Sequence, residues 1–517
     1  MQNQIMNKSY IYALLLLLAA PLFSNAQNTT KIAPKREFRG VWVASVTNID
    51  WPSKPGLSAD QQKQEFIGIL EQHKKNGMNA IMLQIRPTAD ALYAKSRELW
   101  SHWLTGAQGI APAPGYDPLE FAIKEAHNRG MELHAWFNPY RATMNASQLV
   151  SPEHITKKRP ELFYTYGGQK LFDPGLPEVQ AYIVQIILDV VKEYDIDGVH
   201  FDDYFYPYRI EGQKINDAAT FAKYPNGFTK IDDWRRNNVN MLIKTVNDSV
   251  HYYKKYVKFG VSPFGIWRNF REDTLGSKTN GLSNYGELYA DSRKWIKEGW
   301  VDYINPQIYF TFARSAAPFG VLLDWWANNT YGRHLYIGQA AYLVRMPTKV
   351  DATWMKFDEI PNQIRYMREN NRVQGSVFFS SKSLSTNARS LADSLRNNLY
   401  KYPALPPQMP WLDDVIPNAP QNFTADALED GVNLKWEKPS KATDGETASG
   451  YVIYRFEEGE KINVLNPKNI INISFRDFTF YLDTNAEKGK RYNYLVTALD
   501  RLKNESEPTG PIGVQAK

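Results

Sequence analysis

Two hydrophobic periods alternate along most of the chain. Apolar residues at every second position predict strands, and apolar residues spaced at about 3.6 positions predict amphipathic helices. From Arg39 to about Leu399 a predicted helix follows each predicted strand. The predicted strands are Gly40–Val46, Ala80–Arg86, Met131–Asn138, Gly198–Asp203, Phe259–Phe264, Val301–Tyr309, Leu335–Ala341 and Gly375–Ser380. The predicted helices are Ala59–Lys75, Pro118–Asn128, Glu178–Glu193, Asp233–Lys254, Tyr289–Glu298, Val321–Asn328, Pro361–Asn371 and Asn387–Asn397.

This alternation predicts the fold of the larger part of the chain. Eight strand–helix units over about 360 residues are typical of an α/β protein with a (β/α)8 TIM barrel. The alternative is an open doubly wound sheet. However, the first predicted strand is not followed by the glycine-rich loop that binds dinucleotides in such folds.

The pattern changes after Tyr400. Four prolines between Pro403 and Pro410 predict a stiff linker. Short β-like runs separated by turn residues then predict an all-β, immunoglobulin-like sandwich that resembles a fibronectin type III domain, with Trp436 as its core tryptophan and Tyr492 in a tyrosine corner. We expect the barrel to act without this domain. The predicted strands are Val432–Trp436, Gly450–Arg455, Ile473–Leu482 and Arg491–Ala498. The predicted division is 1–26 signal peptide, 27–402 barrel, 403–415 Pro-rich linker and 416–517 sandwich.

The N-terminus has the pattern of a secretory signal peptide. Lys8 lies in a short polar region, Ile11–Phe23 is apolar, and Ser24-Asn25-Ala26 precedes the predicted cleavage site. An uncleaved membrane anchor is the alternative, but the apolar run is short for a span of about 20 residues. We therefore expect an exported protein, periplasmic or extracellular, with no transmembrane segment after signal cleavage.

Composition excludes several kinds of site and partner. The chain has no cysteine, which excludes disulfides, thiolate zinc sites, a cysteine nucleophile and lipoprotein acylation. Lys and Arg number 61 against 55 Asp and Glu, a net charge of +6 without a dense basic run, so we expect no nucleic-acid partner. The 31 tyrosines suit a wet groove lined by ring faces with polar tips.

Polar and apolar side chains alternate near the carboxyl ends of four predicted strands. Parallel strands buried on both faces normally show continuous apolar runs. The polar face is therefore expected to point into the barrel, at the end where such barrels place their active sites. Trp136 lies on this face, and we interpret it as a platform for a sugar ring. The predicted substrate-binding residues, on these strands and the loops beyond them, are Arg86, His134, Trp136, Asn138, Tyr140, Arg141, Asp173, His200, Tyr204, Gln307 and Tyr309.

The predicted catalytic carboxylates lie at the end of the fourth strand. The segment Asp197–Pro207 contains adjacent Asp202 and Asp203, and a period of two directs Asp202 inward and Asp203 outward or toward the rim. Glycoside hydrolysis needs a second carboxyl group, or a group of the substrate in its place. The loops offer Asp291, with Asp173 and Glu287 as further candidates, although Asp291 is also placed to begin a helix.

A metal site is the less favoured interpretation of these residues. His134, His200 and Asp202 offer ligands for one cation, but no two histidines are four positions apart, and the His-Glu-x-x-His pattern is absent from the sequence. We therefore expect no metal and no cofactor.

These residues lie in motifs that resemble the glycosyl-hydrolase-like family 10. The resemblance implies a (β/α)8 glycosidase-type barrel. It also implies a substrate like that of relatives in envelope-bearing bacteria, lipoproteins that cleave peptidoglycan glycan strands lacking stem peptides. This chain departs from them because it has no cysteine for lipidation and adds a C-terminal domain. The matching segments are Phe38–Val43, Gly115–Leu119, His134–Arg141, Phe172–Gly175, Asp197–Tyr206, Asp233–Asn238, Gly260–Pro263, Tyr289–Asp291 and Pro306–Tyr309.

Three functions are compatible with the sequence. The favoured one is an exported glycoside hydrolase that uses carboxylate acid–base catalysis on a cell-envelope or extracellular polysaccharide, with peptidoglycan glycan strands as a candidate substrate. The second is a carbohydrate-binding protein whose barrel has lost catalysis, suggested by the lack of an obvious second carboxylate. The third is a metal-dependent polysaccharide deacetylase, which the histidine spacing disfavours.

Overall fold

The computed structural model describes residues 33–345 and 351–517. The predicted signal peptide lies outside these residues. Within them, no helix is both long and apolar enough to cross a membrane.

Eight parallel strands close into a barrel, as the alternation predicts. The barrel strands are β1 (Phe38–Val43), β2 (Ala80–Arg86), β3 (Glu132–Phe137), β6 (Gly198–Phe201), β7 (Lys258–Val261), β8 (Tyr303–Ile304), β9 (His334–Gln339) and β10 (Gly375–Phe378). Strand β1 pairs with β10, with Phe38 opposite Gly375, and so closes the sheet in the order β1-β10-β9-β8-β7-β6-β3-β2. A two-stranded hairpin of β4 (Phe163–Tyr166) and β5 (Gln169–Phe172) extends from the loop after β3.

The helices that surround the barrel begin at recognisable caps. Ser58 forms a capping box with Gln61, and the carboxylate of Asp117 accepts from the backbone N–H of Leu119. Both helices that follow have the predicted bounds. The α-helices are Ala59–Lys75, His102–Thr105, Pro118–Asn128, Ile155–Lys158, Pro177–Glu193, Ala218–Lys223, Ile231–Tyr253, Asn284–Glu287, Ser292–Lys297, Phe319–Ala327, Ala341–Arg345, Glu359–Glu369, Ser381–Ser385 and Leu391–Ser394, followed by a π-helical turn over Leu395–Leu399. Single 3-10 turns cover Val46–Asn48, Pro160–Leu162, Ala352–Met355, Ala388–Ser390 and Pro467–Asn469.

The buried residues of the barrel form two layers. Outward side chains such as Leu83 and Val199 pack against the helices in the main core. Inward side chains form a separate aromatic cluster that includes Phe38, Tyr303 and Tyr336. The separation matches the predicted alternation of inward and outward positions along the strands.

Three predicted elements differ from the structure. The strand predicted over Ile473–Leu482 is two strands, Ile470–Ser474 and Phe480–Asp483, which belong to different sheets. The strand predicted over Val301–Tyr309 is regular only at Tyr303–Ile304, because Pro306 has no backbone N–H for the ladder. The chain stays extended beyond it, where Gln307 bridges Phe264 and Gly338. The helix predicted over Asn387–Asn397 is broken into short turns because Asn387, Arg389 and Ser390 have positive φ.

The C-terminal region is an all-β sandwich, as predicted. A three-stranded and a four-stranded antiparallel sheet enclose a core in which Trp436 packs edge-on against Tyr451, 5.1 Å between ring centroids. The hydroxyl of Tyr492 accepts from the backbone N–H of Glu487, as in a tyrosine corner, and the arrangement is consistent with a fibronectin type III-like domain. The strands are β11 (Gln421–Leu428), β12 (Gly431–Glu437), β13 (Gly450–Glu457), β14 (Ile470–Ser474), β15 (Phe480–Asp483), β16 (Arg491–Leu499) and β17 (Ile512–Gln515).

The segment predicted as a linker packs against the amino ends of the barrel strands. Leu405 forms a parallel bridge with Arg36, and Met409 is fully buried beside the inward aromatic cluster. The indole of Trp411 donates to Asp302 over 2.9 Å. The prolines here shape a buried strap rather than a spacer.

A loop of the sandwich completes this closure, which we call the floor of the barrel. Leu502 joins the inward aromatic cluster, and Nζ of the buried Lys503 lies 3.4 Å from Oδ1 of Asp197. Arg501 pairs with Asp195, and the backbone N–H of Phe475 donates to the carbonyl of His127. The expectation that the barrel acts without the sandwich does not fit this arrangement, because the sandwich supplies part of the barrel's own floor.

Candidate active site

A cleft of about 420 Å³ lies at the carboxyl ends of the barrel strands. This is the end where barrels of this class place their active sites. The cleft is lined by Trp42, Ala44, Val46, Thr47, Ile49, Gln84, Trp136, Arg141, Met144, Asp202, Asp203, Tyr204, Tyr208, Phe264, Gln307, Tyr309, Phe310, Tyr342 and Phe379.

Asp202 lies in this cleft and is held by three donors. Its Oδ2 accepts from the indole of Trp136 over 3.1 Å and from the amide of Asn138. Its Oδ1 accepts from the backbone N–H of Tyr204 over 3.0 Å. Burial raises the pKa of Asp202, while the charge of Arg141 and these donors oppose the rise. The charge of Arg141 and the three donors therefore offset part of the penalty that burial places on the ionised form.

The amide of Asn138 has one possible orientation. Its Oδ1 accepts from Gln84 over 2.6 Å and from Arg141 over 2.7 Å, so its NH2 group must face Asp202. Gln84 is fixed in turn, because its Oε1 accepts from the backbone N–H groups of Ser45 and Val46. This network extends from β2 to the end of β6 and presents only donors to Asp202.

Asp203 also lines the cleft, although the alternation predicts that it points outward or toward the rim. Strand β6 ends at Phe201, and Asp203 lies two residues beyond it, so the period of two no longer sets the direction of this side chain. Oδ1 of Asp203 accepts from Gln307 over 2.9 Å, and Oδ2 is hydrogen-bonded to the hydroxyl of Tyr208. Burial, and then the charge of Asp202, raise the pKa of Asp203 to about 6.

The two carboxyl groups therefore differ in their protonation. Adjacent buried carboxylates repel each other, so one of them retains a proton at a higher pH than usual. Asp202 has two donors on one oxygen and one on the other, whereas Asp203 has a hydroxyl that either donates or accepts. The proton that the pair retains therefore lies on Asp203. This arrangement provides one acid and one anion within the same cleft.

Other predicted residues also line the cleft. Trp136 is 5% exposed and its indole donates to Asp202, so it positions that carboxylate and presents only a small part of its ring to the cleft. Arg141 places its guanidinium 5.3 Å from the ring of the partly exposed Tyr204. Gln307 and Tyr309 complete this set.

His134 and His200 lie in a fully buried layer beneath the cleft. Nδ1 of each ring lies within 3.0 Å of the Tyr303 hydroxyl, and the Nε2 atoms face Glu132 and Trp42. All four ring nitrogens are engaged, so the two histidines and Asp202 do not converge on a cation. Among the described residues, one group with metal-ligating atoms within 4.8 Å of one another is Asp413, Asp444 and Glu446, which belongs to the partly exposed C-terminal part.

The structure places four other predicted residues outside the cleft lining. Arg86 is paired with Glu98 over 2.6 Å and donates to the carbonyl of Asn138, so it supports a strand end. Tyr140 is fully buried in the main core. Asp173 accepts from Thr220 and from the backbone of Gly175, and Asp291 caps the helix Ser292–Lys297 and accepts from Trp267 over 2.9 Å. The polar groups of Arg86, Asp173 and Asp291 already have partners within the protein, and Tyr140 is packed in the core.

Sequence reasoning missed several lining residues. Trp42 was detectable, because it alternates with outward Val41 and Val43 on β1. Tyr208 lies just beyond the motif that contains Asp202, and no period predicts its direction after the strand ends. Phe379 follows β10 and packs against Trp42, and Tyr342, in the helix after β9, packs against Phe379. Only the closed barrel brings these rings together.

Sequence comparisons identify related proteins. Residues 37–356 match the family described as Glycosyl hydrolase-like 10. The chain is 47% identical over 499 residues to Glycosyl hydrolase YngK of Bacillus subtilis (strain 168), covering 95% of each chain. It is 39% identical over 385 residues to Glycosyl hydrolase DigH of Escherichia coli (strain K12), covering 70% of this chain and 87% of the relative.

Similar solved structures include glycosidases. The glycoside hydrolase domain of PgaB (BpsB) from Bordetella bronchiseptica aligns with a TM-score of 0.46 and 14% identity, covering 70% of this chain and 99% of that domain. The endo-beta-1,4-mannanase from Thermotoga petrophila aligns with a TM-score of 0.41 and 9% identity, covering 93% of this chain and 98% of the enzyme.

Proposed function

Because the chain belongs to the Glycosyl hydrolase-like 10 family, we propose that it is an exported glycoside hydrolase that cleaves glycan strands of the cell envelope. The observation that carries this proposal is the pair Asp202 and Asp203, buried side by side in one cleft with unequal partners. The predicted signal peptide supports export, and peptidoglycan glycan strands are the first substrate to test.

Asp203 is the general acid in this proposal. Its pKa of about 6 keeps Asp203 mostly protonated below that pH, and Tyr208 and Gln307 fix its two oxygens. It donates its proton to the glycosidic oxygen of the leaving sugar while the bond from that oxygen to the anomeric carbon breaks. The resulting carboxylate then accepts a proton from the water that completes hydrolysis.

Asp202 is the anion that stabilises the positive charge of the reaction. Only Asp202 and Asp203 contribute carboxylates among the described residues of the cleft lining. The two are adjacent in sequence, so neither lies across the sugar from the other as a separate nucleophile and acid would. The attacking group is then one carried by the substrate, such as the acetamido oxygen of an N-acetylated amino sugar. Asp202 accepts a hydrogen bond from the N–H of that acetamido group and so favours attack by its oxygen.

The lining of the cleft suits such a sugar. Trp42, Trp136, Phe264 and Phe379 supply apolar surface for the C–H groups of a pyranose ring. Arg141 and Gln307 supply polar groups for its hydroxyls. This mixture is typical of sites that bind sugars through ring faces and a few directed hydrogen bonds.

The test measures release of reducing ends from peptidoglycan glycan strands freed of their stem peptides. The wild-type chain should release them, and Asp203→Asn should reduce the rate by about 10²–10⁴. The matched control is Asp291→Asn, which changes a carboxylate that caps a helix outside the cleft lining and should retain wild-type activity.

Three other results would contradict the proposal. Glycan binding by the wild-type chain without turnover would indicate a carbohydrate-binding protein. Acetate release that a chelator inhibits would indicate a deacetylase. Wild-type activity in a folded Asp203→Asn variant would show that another group is the acid.

A further inference from the structure

A hydrogen-bond chain runs along the barrel axis beneath the cleft. The indole of Trp42 donates to Nε2 of His200 over 3.0 Å. Nδ1 of His200 lies 3.0 Å from the hydroxyl of Tyr303, which lies 2.9 Å from Nδ1 of His134. Nε2 of His134 lies 3.1 Å from Oε2 of Glu132. Trp42 is 2% exposed, and the other four side chains are fully buried.

The hydrogen-bond chain has one donor-to-acceptor direction. An indole N–H only donates, so Nε2 of His200 accepts. Burial holds the pKa of His200 well below its ordinary value, so the ring is neutral and its single proton lies on Nδ1. Tyr303 accepts this hydrogen bond and donates its own proton to His134, which in turn donates to Glu132. Every donor points from the cleft toward the floor.

A fixed charge anchors the far end of the chain. Nζ of Lys258 donates to Oε1 of Glu132 over 2.5 Å. Although burial opposes ionisation, the charge of Lys258 and the hydrogen bond from His134 lower the pKa of Glu132 to about 2. Glu132 is therefore ionised above about pH 2, and the hydrogen-bond chain ends on a carboxylate acceptor.

Two glycines leave space for the rings of the chain. A Cβ atom on Gly198 would lie 2.4 Å from Nδ1 of His134, and one on Gly260 would lie 2.1 Å from the ring of Tyr303. Both distances are too short for a side chain, and the opposing groups are rings packed in the barrel interior. The interior is shaped around this chain.

We propose that the chain positions Trp42 in the wall of the cleft, with His200 and Tyr303 as positioning residues. This inference rests on the proposed function. Trp42 lines the cleft, and its only polar atom is held from below, so its carbon edge is left to face a sugar ring. Removing a link of this hydrogen-bond chain should therefore weaken substrate binding while leaving Asp202 and Asp203 in place.

A pair of tyrosines provides the test. Tyr303 and Tyr336 are both fully buried in the inward aromatic cluster, 5.0 Å apart between ring centroids. The hydroxyl of Tyr336 bonds to Nδ1 of His334 over 3.1 Å, outside the chain. Each Tyr→Phe substitution thus removes one buried hydroxyl from the same cluster, and we expect similar decreases in melting temperature.

Kinetics should separate the two variants. In the full-length protein, Tyr303→Phe should raise KM for peptide-free glycan strands by about three- to tenfold, the equivalent of one hydrogen bond, with kcat near the wild-type value. Tyr336→Phe should leave both constants unchanged. Equal effects of the two substitutions, or an unchanged KM in Tyr303→Phe, would overturn the inference.

A spectroscopic readout separates this inference from the proposed function. With 5-fluorotryptophan incorporated, the ¹⁹F signal of Trp42 is assigned by its loss in Trp42→Phe. Tyr303→Phe should shift this signal, and Tyr336→Phe should not. An unmoved signal in Tyr303→Phe refutes the positioning role even if the enzyme shows turnover. An absence of turnover in the wild-type chain refutes the proposed function, while the ¹⁹F result still decides the positioning role.

Discussion

The barrel buries carboxylates at both ends, with opposite electrostatic results. At the cleft, burial raises the pKa of both Asp202 and Asp203, and the charge of Asp202 raises the pKa of Asp203 further. At the floor, burial also opposes ionisation, but Lys258 lowers the pKa of Glu132, and His127 and Lys503 hold that of Asp197 well below its usual range. The floor supplies cationic partners within hydrogen-bond distance, whereas the direct partners of the cleft pair are neutral donors.

This difference distinguishes structural from chemical carboxylates in one fold. A buried carboxylate with its own cation contributes to holding elements together and has no proton to give near neutral pH. A buried pair with neutral donors is destabilised as two anions and retains a proton for transfer. Counter-charge, rather than depth of burial, decides which role a carboxylate has here.

The largest effect is expected from removing the floor. A chain ending after Tyr402 loses Met409, Leu502 and Lys503, and it exposes the inward aromatic cluster at the amino ends of the strands. We expect this truncated chain to aggregate or to lose its cooperative thermal transition, measured by circular dichroism. A stable, active truncated barrel would show that the sandwich is an accessory domain after all.

Neutralising one carboxylate at each end of the barrel should lower stability at the floor and activity at the cleft. Glu132→Gln leaves Lys258 without its partner and should lower the free energy of unfolding by about 3–5 kcal/mol, measured by urea titration. Asp202→Asn should leave the free energy of unfolding near or above the wild-type value and reduce the rate of glycan cleavage by about 10²–10⁴. Loss of only stability in both variants, or of only activity in both, would contradict this distinction between the floor and the cleft.

A smaller effect is expected at the contact between sandwich and barrel. Lys503→Met removes one of the cations near Asp197, which keeps its hydrogen bonds to His127 and to the backbone N–H of Leu133. We expect a loss of about 1–3 kcal/mol in the free energy of unfolding, because one buried partner is removed. Lys441→Met, which changes an exposed lysine of the sandwich, is the control. An equal loss in both variants would show that the effect comes from removing a positive charge from the sandwich rather than from losing the contact with Asp197.

The smallest effect is a difference in pH dependence. The folded state holds the proton of Asp203 more tightly than the unfolded state, so Asp203 lowers stability as pH rises from its ordinary pKa to about 6. Glu132 has the opposite sign: its contribution is present above the ordinary pKa of a glutamate and is lost as pH falls toward about 2. Urea titrations across pH should show Asp203→Asn flattening the first change and Glu132→Gln the second.

The same proton predicts the pH profile of activity. The acid form of Asp203 is depleted as pH rises through about 6, so kcat/KM should fall on the alkaline side of that value. Tyr208→Phe removes a hydroxyl partner of Asp203 and should move this limb, whereas Tyr336→Phe should not. An unmoved limb would mean that Asp203 is not the titrating acid.

The sequence predicts those parts of the molecule that depend on local period. The alternation on β3 places Trp136 on the inner face, and Asp202, the first residue beyond β6, still follows the alternation of that strand; both line the cleft. The prediction fails for Asp203 because the strand has ended, and for Arg86 and Asp173 because each is occupied by a partner that only folding brings near. Lys503 lies 306 positions from Asp197 in the chain, so no local pattern indicates their contact.

The position of the floor loop has a consequence for how the protein matures. The first barrel strand is preceded by Lys35 and Arg36, which bond to Glu505 and Pro406. The residues before the first barrel strand and a loop of the sandwich therefore meet beneath the same strand, and the floor is incomplete until that loop has been synthesised. For a chain that we propose to cross a membrane before it folds, this order delays closure of the barrel until the sandwich has been translocated. Under the proposed export, the barrel is completed on the far side of the membrane.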